Sequence, residues 1–345
     1  MADPVIDADG HVEPSIAVDW SAYAPEPYAT QMTRLARRKF DLVGDITALR
    51  RGMWDPQERL RDMDAEGIDV AVLFGGLVGL SLGAEFEGVR GPEPHQERAY
   101  AVYAAQAYNN WLAGYCRSAP DRLKGVALVP WADPDRAVQE MARAAQDLGF
   151  VAALMPVRLG EHNLDDSYFE PFYQHAERLG IALTVHAPGL IWSSGMHTHF
   201  RRHAFNFVTS LMQGTMDVIC GGVLERHKSL RIAFLEGECG WLPFWLDRLD
   251  DHYEDLPHQA PHIAGPPSDY VRSGRLFVSC EPGEKSLPYV LSRVGDGCIV
   301  FASDYAHYDS LYPESVRVLR QRSDLPGESL PKLLGGNAAR LYGLD

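Results

Sequence analysis

Residues 123–157 read "LKGVALVPWADPDRAVQEMARAAQDLGFVAALMPV", and they decide the fold. A continuous apolar run (123–130) precedes Asp133 and Pro134, a pairing that starts helices. A helix-like stretch over 135–148 follows and closes on Gly149. A second apolar run then begins at Phe150. Continuous rather than alternating apolar strands are buried on both faces, and an intervening helix makes them parallel.

The same unit recurs outward in both directions. Apolar runs appear as "VIDAD" (5–9), "IDVAVLFG" (68–75), "IALTVHAP" (181–188), "LRIAFLEG" (230–237), "RLFVSCEP" (275–282) and "CIVFASDY" (298–305), making eight with the first two. Helix-like segments fall at 56–66, 96–118, 135–148, 168–180, 203–227, 241–254, 285–294 and 314–323. Eight such units predict an α/β chain of the (β/α)8 TIM-barrel class, which typically takes ~250 residues. The surplus of this 345-residue chain goes into 15–55, after strand one, and 187–203, after strand five. An open doubly wound sheet is the competing architecture. No Gly-rich phosphate loop follows any strand, which favours the barrel. One domain over 1–345 is expected, with 15–55 as an insertion over the site and a helical C-terminal tail.

The chain is 46% hydrophobic and 23% charged, with net charge −15. A diffuse acidic surface argues against nucleic acid and anionic membrane as partners. No apolar run reaches the roughly eighteen residues of a membrane span. No basic-then-apolar leader is visible, so a cytoplasmic location is expected. Five scattered cysteines without a C-x-x-C pair read as reduced thiols.

Strand one then poses a chemical problem, because "VIDADGHVEP" sets Asp7, Asp9, His11 and Glu13 where an apolar strand belongs. Strict alternation would turn Asp7, Asp9 and His11 to one face. Bare carboxylates buried there are costly unless paired or metal-bound. His186 closes the fifth run and Asp304 the eighth. Barrel active sites lie at that carboxyl-end face. Asp9, His11, His186 and Asp304 thus form a candidate ligand set of two imidazoles and two carboxylates. It suits one divalent ion, Zn²⁺ or Mn²⁺ first and Fe²⁺ next.

At this point the chain resembles the amidohydrolase superfamily, in its aminocarboxymuconate-semialdehyde-decarboxylase-like branch, also called amidohydrolase family 2. The resemblance rests on "DADGHVEP" (7–14), "WDPQERLRDMDAEGIDVAVLF" (54–74), "NLDDSYFEPFYQHAERLGIALTVHAP" (163–188), "GVLERHKSLRIAFLEGECGWLPFWLDRLD" (222–250), "FASDYAHYD" (301–309) and "GGNAARLYGL" (335–344). The family usually carries His-x-His on strand one. Here Asp9 takes the first position, a change toward harder ions such as Mn²⁺. The family often has a proton-transferring His after strand six. Here Glu236 stands at or beside that place, as an acid/base group, an added ligand or a salt-bridged strand-end carboxylate. The resemblance assigns Asp304 to the metal or its water and to proton movement, and His307 follows it as a second catalytic candidate. Arg158, read as inward-facing by alternation with Leu154, is a candidate clamp for a substrate carboxylate. His203, Trp54 and Trp192 are candidate pocket walls. Grouping His197, His199 and His203 as a second metal site fits no strong spacing.

The resemblance implies a metal-dependent, non-oxidative decarboxylase acting on a small aromatic or unsaturated carboxylic acid. One alternative is a hydrolase that uses metal-activated water on an amide, ester, lactone or imine. Another is an inactive binding protein on the same barrel. A small-molecule substrate and a homodimer are the partners the resemblance implies.

Overall fold

The first strand, β1 (Ile6–Val12), is buried along its whole length, its ionisable residues included. The structure is a computed structural model that describes residues 3–14, 17–43, 50–76, 94–186 and 198–344. Among these, eight parallel strands succeed one another in chain order. They are β1, β2 (Val70–Gly75), β3 (Leu123–Ala127), β4 (Ala152–Met155), β7 (Ala182–His186), β8 (Ile232–Leu235), β9 (Leu276–Cys280) and β10 (Ile299–Phe301). Between β4 and β7, β5 (Arg158–Leu159) and β6 (His162–Asn163) form a small antiparallel hairpin. With helices after the parallel strands, this is the (β/α)8 barrel class that the sequence predicts.

The chain resolves into two compact units. The first comprises residues 2–154 and 303–317. In it β1 pairs with β2, β2 with β3, and β3 with β4, all parallel. The β1–β2 register slips between Asp7, opposite Ala71, and Gly10, opposite Leu73. Two residues on β1, Ala8 and Asp9, thus face the single Val72 on β2, a bulge that breaks the strict alternation expected for "DADGH". The helix Pro56–Glu66 starts on Asp55, whose side chain accepts the amides of Gln57 and Glu58, with Pro56 at the first turn. It ends where Gly67 turns left-handed at φ 80°. Arg59, Met63 and Glu66 are its buried residues, and they share one face at helical spacing.

The expected insertion over 15–55 carries the short 3-10 helix Trp20–Ala22, a long helix Tyr28–Val43 and the 3-10 turn Arg51–Met53. The long helix has no counterpart among the helix-like segments read from sequence.

The second unit comprises residues 155–302 and 318–344. Here β7 pairs with β8, β8 with β9, and β9 with β10. Ile232, Phe234, Phe277, Val278 and Phe301 are fully buried. The expected helix over 203–227 is broken into a π-helical turn His203–Phe207, Val208–Cys220 and Val223–Arg226. The tail is helical at Asn337–Tyr342. No helix among the described residues is long and apolar enough to cross a membrane.

Candidate metal centre and active site

In the first unit, segment 303–317 returns to β1 and is laced to it through the backbone. The Asp304 N–H donates to the Asp9 carbonyl at 3.1 Å, and the His11 N–H to the Tyr305 carbonyl at 2.6 Å. Asp304 itself is left-handed, at φ 50°. That backbone is uncommon for a residue with a side chain and costs of order 1–3 kcal/mol, so its surroundings must hold it there. The result is a tight cluster. His11 Nε2 lies 3.0 Å from Asp304 Oδ1 and 3.6 Å from Asp9 Oδ1. His307 Nδ1 lies 2.7 Å from the same Asp304 oxygen. The His11 and His307 rings stack with centroids 4.1 Å apart.

Asp9, His11 and Asp304 are buried, while His307 is half-buried. Burial lowers the His11 imidazole from its ordinary value, and His307 adds to this. Burial alone would raise the Asp304 carboxyl. The two imidazoles outweigh it and hold that group well below the usual carboxylate range. The Asp9 and Asp304 carboxylates on either side of the His11 imidazole are buried donors of the kind that fit a divalent ion such as Zn²⁺ or Mn²⁺.

Asp7 stands apart from that set, because the bulge turns it elsewhere. Its carboxylate accepts the Ser303 N–H at 2.8 Å and the Ser303 hydroxyl at 2.6 Å, and Arg59 Nη2 lies 3.6 Å away. Burial raises the Asp7 carboxyl to about 6 against the opposing pull of Arg59 and Ser303.

In the second unit, His186 is the last residue of β7 and is buried. Its Nδ1 lies 3.1 Å from Glu236 Oε2. Glu236 directly follows β8 and is left-handed at φ 62°, with Glu238 similar at φ 52°. This turn is anchored twice: the Glu236 N–H donates to the Ser279 hydroxyl at 3.1 Å, and the Cys239 N–H to the buried Glu284 carboxylate at 3.1 Å. A carboxylate on Nδ1 fixes the ring's tautomer and presents Nε2 for ligation.

The remaining candidates are placed differently. Arg158 is not inward-facing: β4 ends at Met155, and Arg158 lies in the β5–β6 hairpin with its side chain 43% exposed, paired to Glu161 at 3.2 Å. His203 is half-buried at the start of the π-helical turn, its ring 4.3 Å from that of Phe207. Trp54 packs against Met53, Tyr305 and Ala306. Trp192 and His197 lie outside the described residues.

Sequence reasoning missed Arg59 and Ser303. The available signal for Arg59 was a charge on the buried stripe of its helix, in register with Met63.

A (β/α)8 chain with carboxylate–imidazole clusters just past its strands belongs to the metal-dependent hydrolase and lyase class. More particularly, the amidohydrolase family description (Amidohydro_2) matches residues 6–344, and the chain is an enzyme of that family. It is 24% identical to the 2-amino-3-carboxymuconate-6-semialdehyde decarboxylase of Dictyostelium discoideum over 297 residues, covering 85% of this chain and 77% of that one. Among solved structures it matches the 5-carboxyvanillate decarboxylase of Sphingomonas paucimobilis with a TM-score of 0.74, at 20% identity over 99% of each chain. The Novosphingobium aromaticivorans 5-carboxyvanillate decarboxylase, complexed with manganese and 4-hydroxy-3-methoxy-5-nitrobenzoic acid, matches with a TM-score of 0.69 at 20% identity, over 99% of this chain and 96% of that one.

Proposed function

We propose that this chain is a metal-dependent, non-oxidative carboxy-lyase for a small aromatic or unsaturated carboxylic acid. The observation that carries the reading is the buried Asp304 carboxylate facing two imidazoles in a strained backbone. Family membership and the decarboxylases it resembles support it.

Asp9, His11, His186 and Asp304 are the proposed ligands. When bound, the ion would supply positive charge that holds the substrate carboxylate and an adjacent oxygen. Glu236 orients His186 for this task. Loss of CO2 leaves an electron pair on the carbon that carried the carboxylate, so a proton must reach that carbon. The His307–Asp304 pair is the source. His307 Nδ1 lies 2.7 Å from the Asp304 carboxylate, so a proton carried on that imidazole would have Asp304 as its counter-charge. The carbon–proton bond forms, the carbon–carboxylate bond breaks, CO2 departs, and water restores the proton to His307. Trp54 and His203 are the proposed contacts to the substrate. The reading includes a cytoplasmic homodimer, which sedimentation would check.

The test uses purified protein loaded with Mn²⁺ or Zn²⁺. It is offered ortho-hydroxy aromatic carboxylates alongside a panel of amides, esters and lactones. Release of CO2 from a carboxylate is expected. Hydrolysis without CO2 release overturns the reading in favour of hydrolase chemistry. Absence of stoichiometric metal after loading overturns the metal site itself.

A further inference from the structure

One buried side chain touches nearly everything that shapes the first-unit cluster without belonging to it. Arg59, on the helix Pro56–Glu66, is 1% exposed. Its Nη2 lies 3.6 Å from Asp7, its Nη1 donates to the His11 carbonyl at 3.3 Å, and its guanidinium lies 3.9 Å over the Tyr305 ring. The carbonyl of that same tyrosine accepts the His11 N–H. Both peptide groups of His11 are therefore tied, one to Arg59 and the other to the residue beneath Arg59. Asp7, held on its far side by Ser303, fixes the start of the segment that carries Asp304.

Gly10 fits the same picture. A Cβ there would collide with Arg59 Nη2 and Asp7 Oδ2, so the space a side chain would take on the bulge belongs to the guanidinium. A planar fork with a flat face satisfies a carboxylate, a carbonyl and an aromatic ring together, which an ammonium cannot do.

We infer that Arg59 is a positioning residue for the metal centre, setting His11 and Asp304 in ligating geometry through Asp7, the His11 carbonyl and Tyr305. The inference rests on the proposed metal site. Outer groups that orient ligands typically change metal affinity by about 10–100-fold when removed.

The experiment titrates metal-stripped protein with Mn²⁺ and records free ion and the bound-ion spectrum by electron paramagnetic resonance, with circular dichroism as the check on folding. Arg59→Lys keeps the buried positive charge but loses the fork and the flat face. It is expected to bind Mn²⁺ at least about tenfold more weakly, with an altered spectrum. The pair Asp7→Asn with Arg59→Gln removes both buried charges at once and is expected to behave the same way. If neither folds, Gly10→Ala leaves every charge in place and displaces the guanidinium together with the Asp7 carboxylate it faces, and the same weakening is expected. Any folded variant of these with wild-type affinity and spectrum overturns the role of Arg59 while leaving the metal site standing. A wild type that binds neither Mn²⁺ nor Zn²⁺ overturns the metal reading, and this inference with it.

Discussion

The two units solve one problem in two ways. Each holds a left-handed acidic residue, Asp304 in the first and Glu236, directly after β8, in the second, and each faces that carboxylate with imidazole nitrogen. Asp304 meets two rings through one oxygen and is tied by backbone to β1. Glu236 meets the Nδ1 of one ring and is tied by its own N–H to a serine hydroxyl. A carboxylate shared by two imidazoles can serve both charge balance and proton movement. One placed on the Nδ1 of a ring can aim that ring. On the proposed reading, the same left-handed backbone would carry a chemical role in one unit and an orienting role in the other.

The largest expected effect breaks the first half. Asp304→Asn keeps an oxygen ligand but loses the counter-charge for His307. Turnover should fall by roughly 10³–10⁴-fold, near the upper range for acid–base groups, with bound metal retained by elemental analysis. Near-normal CO2 release would remove Asp304 from proton transfer.

His307→Gln probes the same half one step out. It removes the imidazole proposed as the proton source and leaves Asp304 in place. A loss of roughly 10²-fold in kcat is expected, with one limb of the pH–rate profile gone. A full loss of metal with the profile unchanged would make His307 a ligand rather than the acid.

Glu236→Gln tests the second half and should separate it from the first. Without the carboxylate, His186 is less firmly aimed and metal affinity should drop about 10–100-fold. Excess metal should then restore most of kcat. If kcat stays low at saturating metal, Glu236 is itself the acid, and the two halves share one role.

The sequence made much of this legible. All eight strands fall where continuous apolar runs meet helix starts, because burial on both faces leaves a direct compositional trace. His186, Asp304, Asp9 and His11 were visible as ligand-type residues at strand positions where polar side chains need a reason. The β1 bulge was not visible, since an extra residue changes register and leaves composition untouched, so Asp7 was grouped with Asp9. Arg158 was misplaced by extending β4 alternation past Met155, where the strand ends. Arg59 was hidden because an arginine on an amphipathic helix usually faces water, and only its register with Met63 pointed inward.

The smallest predicted effect lies away from the cluster, in the second unit, and concerns stability rather than rate. Asp217, on the helix Val208–Cys220, is buried, and its Oδ2 has no hydrogen-bond partner among the described residues. Burial raises its carboxyl to about 7 and Asp165 adds to this, against the Leu164 backbone bond, Arg158 and Gln213. The sign follows from linkage: the folded chain keeps a proton that the unfolded chain releases near pH 4, so stability falls as pH rises from about 4 to about 7. Above that range the folded state holds an ionised, buried carboxylate beside a second acid. Asp217→Asn removes that charge and offers Asp165 an N–H donor. Its melting temperature should exceed wild type by about 2–4 °C at pH 8 for each 1 kcal/mol gained, and the gap should close toward pH 4. A gap that is equal at both pH values would mean the gain comes from packing. A gap that opens toward acid would mean that Asp217 is ionised in the fold and held by partners, reversing the contrast between this buried acid and the paired carboxylates of the site.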